Sequence, residues 1–188
     1  YGIFISKFKS RNVNHSYDIL KKQGVTILNE VSENPAGKKH FYLKDPYGNI
    51  CEVVEADDWF KSYKTHTGGI YGCTIGVSDI EKSKQFYASI LGYDQILSDT
   101  TDSFDDLKNI PGGTQQFRRV ILKNSKKREG AFSRLLGDSE IELVQVLDRT
   151  PQPIFKDRLW GDLGYIHLCF DINGMDELRT LCESKGHP

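Results

Sequence analysis

The chain has 188 residues, 38% of them hydrophobic and 27% charged, with a formal net charge of −1. That length suits one large domain or two small ones, and near-neutral charge removes any global electrostatic case for nucleic acid or an anionic membrane as partner. No apolar run approaches the roughly 20 residues a membrane span needs, and no signal-peptide pattern opens the chain.

The first element, "GIFISKFKS" at 2–10, alternates like a strand. "VNHSYDILKKQG" then puts Val13, Tyr17 and Leu20 on one helical face and closes at Gly24. Three strand candidates follow, "VTILNEV", "KKHFYLKD" and "NICEVVEA", the last two joined by the turn "DPYGN". This β-α-β-β-β unit recurs. "YGCTIGVSD" is a strand, and "DIEKSKQFYASILG" a helix capped by Asp79 or Ser78 and ended by Gly92. Its apolar residues Phe86, Ile90 and Leu91 are expected to be buried against the sheet. The strands "YDQILSD", "QFRRVILK" and "SEIELVQVL" complete the second copy. Between the last two, the basic "KNSKKREG" reads as a solvated hairpin tip rather than a phosphate track. A third copy starts at "GYIHLCFDI", continues into the helix "GMDELRTLCESKG" and stops. Both ends look cut, so the sequence reads as a fragment. Helices are expected near 13–23, 80–91 and 174–185.

Periodicity thus predicts an α+β protein of repeated β-α-β-β-β units with helices on one sheet face, pairing into half-open barrels with a cleft. The four cysteines form no CxxC. Cys51, Cys73 and Cys169 sit in apolar strands and read as reduced core residues of a cytoplasmic protein.

The strings "VSDIEKSKQFYASILGYD", "DPYGNICEVVE" and "WGDLGYIHLCFDI" resemble module openings and a module end in the vicinal oxygen chelate superfamily, which groups glyoxalases, bleomycin-resistance proteins and extradiol dioxygenases. The resemblance covers nearly the whole chain. It implies barrels of two modules each, with metal ligands on the first and last strands. The expected division is residues 1–58 as a module of a first barrel whose partner is absent, 59–68 as a linker, and 69–188 as a second barrel. That second barrel would join the complete module 69–147 to the truncated module 164–188.

Carried over by position, the resemblance implies His167 and Glu142 as ligands of a divalent metal (Zn, Ni, Mn, Fe or Co). Glu52 holds the equivalent last-strand position of the first copy. One position departs from the pattern: Gly72 stands where a first-strand His or Gln is expected, and Thr74 is a weak substitute. In the first copy that position falls near Gly2 or Ile3. Strand alternation puts Glu140, Glu142, Val144 and Val146 on one face, which suits a cleft carboxylate at Glu142. Of the adjacent Arg118 and Arg119 only one can face the cleft, where it would clamp a substrate anion.

His15, His40, His66 and His187 read as surface or turn residues, "TDSFDD" at 101–106 as a solvated insertion, and Trp160 as packing. The leading expectation is an isomerase- or lyase-type metalloenzyme. It would stabilise an enediolate from a small substrate with vicinal oxygens, with Glu142 as ligand and base. The alternative is a metal-free barrel sequestering a small apolar molecule, as bleomycin-resistance proteins do. An extradiol dioxygenase is third. A second copy of the chain or unseen sequence is the expected partner for the edge of 164–188.

Overall fold

The computed structural model describes residues 1–61 and 64–187. Ser62 and Tyr63 of the expected linker, and Pro188 of the expected third module, lie outside the described residues. The first copy holds β1 (Gly2–Ser10), α1 (Val13–Lys22), β2 (Thr26–Ile27), β3 (Ser32–Glu33), β4 (Lys39–Lys44) and β5 (Ile50–Glu55). The second holds β6 (Ile70–Gly76), α2 (Ile80–Leu91), β7 (Gln95–Asp102), β8 (Phe117–Lys123), the short α3 (Ser133–Leu136) and β9 (Glu140–Val146). A final helix, α4 (Met175–Ser184), follows a stretch without regular structure. Asn12 starts α1 by accepting the His15 N–H, and Asp79 starts α2 by accepting that of Lys82. Gly92, left-handed at φ 71°, closes α2 with its N–H on Ala88.

The strands form one sheet in the order β2-β4-β5-β1-β6-β9-β8-β7, with β3 beside β4. Each copy repeats one plan, its first strand parallel to its last, and the copies meet antiparallel through β1 and β6. The sheet is strongly curled. β4 and β8 are five strand positions apart, about 24 Å in a flat sheet, yet Arg119 Nη2 on β8 lies 3.3 Å from Tyr42 Oη on β4. The outer face packs Cys73, Ile75, Val120, Leu122, Ile141 and Leu143 under Ile80 of α2, and Phe41 and Val53 under Val13 and Tyr17 of α1.

Two expectations are corrected here. On α2 Ile80 alone is buried, and Tyr87 and Leu91, at spacings of seven and four, are half-buried against the core rather than buried in it. Phe86 and Ile90 are half-buried as well but outside that core cluster, Phe86 standing edge-on to Tyr87 and His187. The second concerns pairing: copy two joins copy one, not copy three. β6 has two edges, taken by β1 and β9, which leaves residues 164–172 no ladder beside it to enter. They form no strand. Leu168 and Phe170 pack on the rim of the core, and Tyr165 Oη donates 2.9 Å to the Ile50 carbonyl. Cys169 is exposed, while Cys51 and Cys73 are buried; all four cysteines are free.

Candidate functional site

The concave face of the sheet carries a cluster of buried charges. From Ile5 on, past a register shift, the odd-numbered residues of β1 turn inward, so Ile5, Lys7 and Lys9 are buried. Lys7 pairs in register with Glu52 on β5 and with Gly72 on β6; Gly72 in turn pairs with Glu140 on β9. One inward step along, Thr74 pairs with Glu142. Lys7 Nζ lies 3.1 Å from Glu52 Oε2, 3.0 Å from Glu140 Oε1 and 2.8 Å from Glu142 Oε2. It reaches β9, two strands away, across Gly72, a β6 position without a side chain. A Cβ at Gly72 would stand 1.8 Å from the Glu140 carbonyl oxygen, so the parallel pairing of β6 and β9 demands glycine there. The register also moves the first-strand positions. Thr74, not Gly72, faces Glu142, and Lys7, not Gly2 or Ile3, faces Glu52.

A second cation completes the far side. Arg119 Nε donates to Glu142 Oε1 at 2.6 Å, its Nη1 to both Asp106 oxygens at 2.8 and 2.9 Å, and its guanidinium lies over Phe104. His40 bridges Glu52 and Asp106 through Nδ1 at 2.9 Å and Nε2 at 3.3 Å. Lys38 Nζ meets the other Glu140 oxygen at 2.9 Å. Lys7, Arg119, His40 and Lys38 thus balance Glu52, Glu140, Glu142 and Asp106, four against four. Burial alone would push the His40 imidazolium towards neutrality; Asp106 and Glu52 outweigh it and raise His40 to about 9, so it is charged at neutral pH. Burial would raise the Glu142 carboxyl, but Arg119 and Lys7 hold it well below the usual carboxylate range. Lys7 is raised well above its ordinary value, Glu140 and Glu142 overcoming its burial. One acceptor stays loose: Glu52 Oε2 is near Lys7 Nζ but forms no hydrogen bond.

Of the residues singled out in the sequence, Glu142, Glu52 and Arg119 meet here. Arg118 faces outward, bidentate on Asp99 at 2.8 Å and paired with Glu81 of α2. Neither arginine is a free substrate clamp, since both forks are held by carboxylates. His167 is exposed in the irregular segment and stacks on Trp160, ring centroids 6.1 Å apart, while Glu142 is buried. The two do not share a strand pair or a cavity wall, because the strand meant to bring His167 alongside does not form.

Lys7, His40, Glu140 and Asp106 were not anticipated as partners. His40 is fully buried rather than at the surface, since alternation turns it inward with Tyr42. Asp106 belongs to a 3-10 turn over the barrel, not to a solvated insertion. Lys7 was legible only as an inward residue of an apolar strand, a place where lysine is rare unless paired.

The cluster as built does not fit the expected divalent ion. A lysine ammonium already stands within 3.1 Å of three carboxylates, and among the described residues no group of His, Cys, Asp and Glu is arranged to hold a metal. Beside the cluster the concave face opens into an apolar cavity of about 200 Å³. Phe4, Leu107, Ile110, Phe117, Val144 and Val146 line it, with Arg149 at its exposed rim.

Two β-α-β-β-β modules joined edge to edge through their first strands, with helices outside and polar residues of the first and last strands inside, make a glyoxalase-like fold. No family model and no curated protein matches the chain in sequence. Among solved structures it is similar to glyoxalase I from Zea mays, at 17% identity and TM-score 0.49 over 80% of this chain and 44% of that one. A putative dioxygenase from Bacillus subtilis aligns at 13% identity and TM-score 0.48, over 76% of this chain and 40% of that one. Methylmalonyl-CoA epimerase from Mycobacterium tuberculosis aligns at 15% and 0.43, over 78% and 88%. The chain therefore spans less than half the length of the first two. No helix among the described residues is long and apolar enough to cross a membrane.

Proposed function

We propose that the protein binds a small, largely apolar molecule in the cavity at the barrel mouth, holding it non-covalently and without metal chemistry. The observation that carries this reading is the contrast between the two halves of the concave face. One half is a charge-balanced network of buried ion pairs; the other is an open cavity walled by aromatic and branched side chains. A cavity of about 150 Å³ lined by such residues admits benzene, so 200 Å³ suits a substituted ring. Arg149 at the rim favours an acidic substituent.

An isomerase or lyase acting through an enediolate needs a cation with open coordination positions and a carboxylate free to take a proton. Glu142 is a poor base: its oxygens receive Arg119 Nε, Lys7 Nζ and Thr74 Oγ1, and its affinity for a proton is lowered. The test is a thermal-shift and NMR titration with small aromatic carboxylates and their neutral amides. Acids are expected to bind and raise the melting temperature. Val146→Trp, which fills the cavity, is expected to abolish binding, and Arg149→Ala to weaken the acids but not the amides. Metal-dependent turnover of an α-oxo aldehyde thiol adduct, lost in Glu142→Gln, would overturn the reading.

A further inference from the structure

We infer that Lys7 is the barrel's own resident cation, its ammonium occupying a position between β5 and β9 from which divalent ions are thereby excluded, with a latent all-oxygen metal site behind it. This goes beyond the binding proposal and does not depend on what the cavity holds. Three oxygens from three different carboxylates converge on one point at 2.8–3.1 Å, ordinary distances for an ammonium hydrogen bond or ion pair. Oxygen ligands of Mn²⁺, Mg²⁺ or Ca²⁺ stand at about 2.0–2.6 Å, so closing on such an ion requires each carboxylate to move by only a few tenths of an ångström to about an ångström.

The surroundings support the exchange. Glu52, Glu140 and Glu142 are each at most 1% exposed, and each is also held from its other side, by His40, Lys38 and Arg119 respectively. They are therefore pre-positioned by partners other than Lys7. Glu52 Oε2 has lone pairs that no hydrogen bond uses. Gly72, opposite Lys7, leaves the approach clear of a side chain. The converging ligands are carboxylate oxygens, with neither thiolate nor imidazole among them, a set that suits Mn²⁺, Mg²⁺ or Ca²⁺.

The experiment compares the full chain with Lys7→Ala and Lys7→Met, using Mn²⁺ alone as probe. The wild-type protein is expected to take up no Mn²⁺ by electron paramagnetic resonance titration, and to melt at the same temperature with MnCl₂ or EDTA. Lys7→Ala is expected to bind one Mn²⁺ per chain, with Kd of about 10⁻⁴ M or tighter, the weak end of oxygen-ligand sites. Its melting temperature should rise with Mn²⁺, and the uptake should vanish when Glu142→Gln is added. Lys7→Met fills the space without charge, so it should be destabilised and gain nothing from Mn²⁺. A Lys7→Ala chain that folds only with Mn²⁺ supports the inference as well. Stoichiometric Mn²⁺ uptake by the wild type that Glu142→Gln abolishes would overturn it. So would a Lys7→Ala chain that neither binds Mn²⁺ nor is folded by it. Loss of ligand binding in the cavity with an unchanged Mn²⁺ result would fault the binding proposal alone.

Discussion

The barrel interior and the segment 157–187 present similar letters and opposite chemistry. Each places a histidine in an apolar alternating run, His40 in "KKHFYLKD" and His167 in "GYIHLCFDI". His40 is fully buried, between two carboxylates, and carries a charge. His167 is exposed beside a Trp160 that is itself 81% exposed. The difference lies in the neighbours. β4 has β5 alongside, and the curl of the sheet brings Asp106 and Arg119 over it. Among the described residues no strand adjoins 164–172, so alternation there has no face to sort. A side chain's chemistry is set by whether its strand finds a ladder.

The largest expected effect separates the two adjacent arginines, one on each side of the same strand. Arg119→Met leaves Glu142 and Asp106 buried without their main counter-charge and should cost about 3–5 kcal/mol. Arg118→Met breaks a half-exposed pair with Asp99 and Glu81 and should cost no more than about 1 kcal/mol. Urea denaturation of both variants measures the difference. Equal costs would mean that the interior network does not hold the barrel closed.

The fold was readable because its signals are local. Helix caps at Asp79 and Gly92, the turn "DPYGN" and strand alternation each act over a few residues, and the repeat unit followed from them. The inward face of β9, with Glu142 beside Val144 and Val146, was readable for the same reason. Which copies pair was not. A first strand in any copy carries the same alternation, and β6 accepts one partner on its free edge. The members of the charge cluster were hidden by a related limit. Lys7, His40 and Asp106 lie far apart in the chain and meet only after the sheet curls, and a charged residue reads as solvated until its counter-ion is located.

A middle-sized effect tests whether His40 belongs to the network as a cation. Its affinity for a proton is raised in the folded state, to about 9 from 6.5. The stabilisation is therefore fully present below about pH 6.5 and lost as pH rises through about 9, on the order of 3 kcal/mol in all. Denaturant midpoints of the wild type should fall across that interval, and those of His40→Gln should not. Glu142 and Asp106 work in the opposite sense, since their depressed values stabilise the fold above their unfolded pKa. Acid should therefore begin to weaken the protein below about pH 4.5. A flat alkaline limb in the wild type would show His40 buried as a neutral ring.

The smallest expected effect is at the residue that the sequence made most prominent. His167→Ala removes an exposed ring whose one described aromatic contact is a parallel stack on Trp160, with planes 3° apart. Surface substitutions of this kind stay within about 0.5 kcal/mol, so urea denaturation should not separate the variant from the wild type. The stack itself offers a finer reading. Trp160 emission should change in intensity on His167→Ala, while Trp59, which donates to the Ala56 carbonyl in the other copy, should not respond. Trp160→Phe removes that component and identifies it. Suppose instead that His167→Ala costs more than about 1 kcal/mol. That size belongs to a packed or hydrogen-bonded group, and the 164–172 segment would then hold a strand partner in solution, as the repeat first suggested.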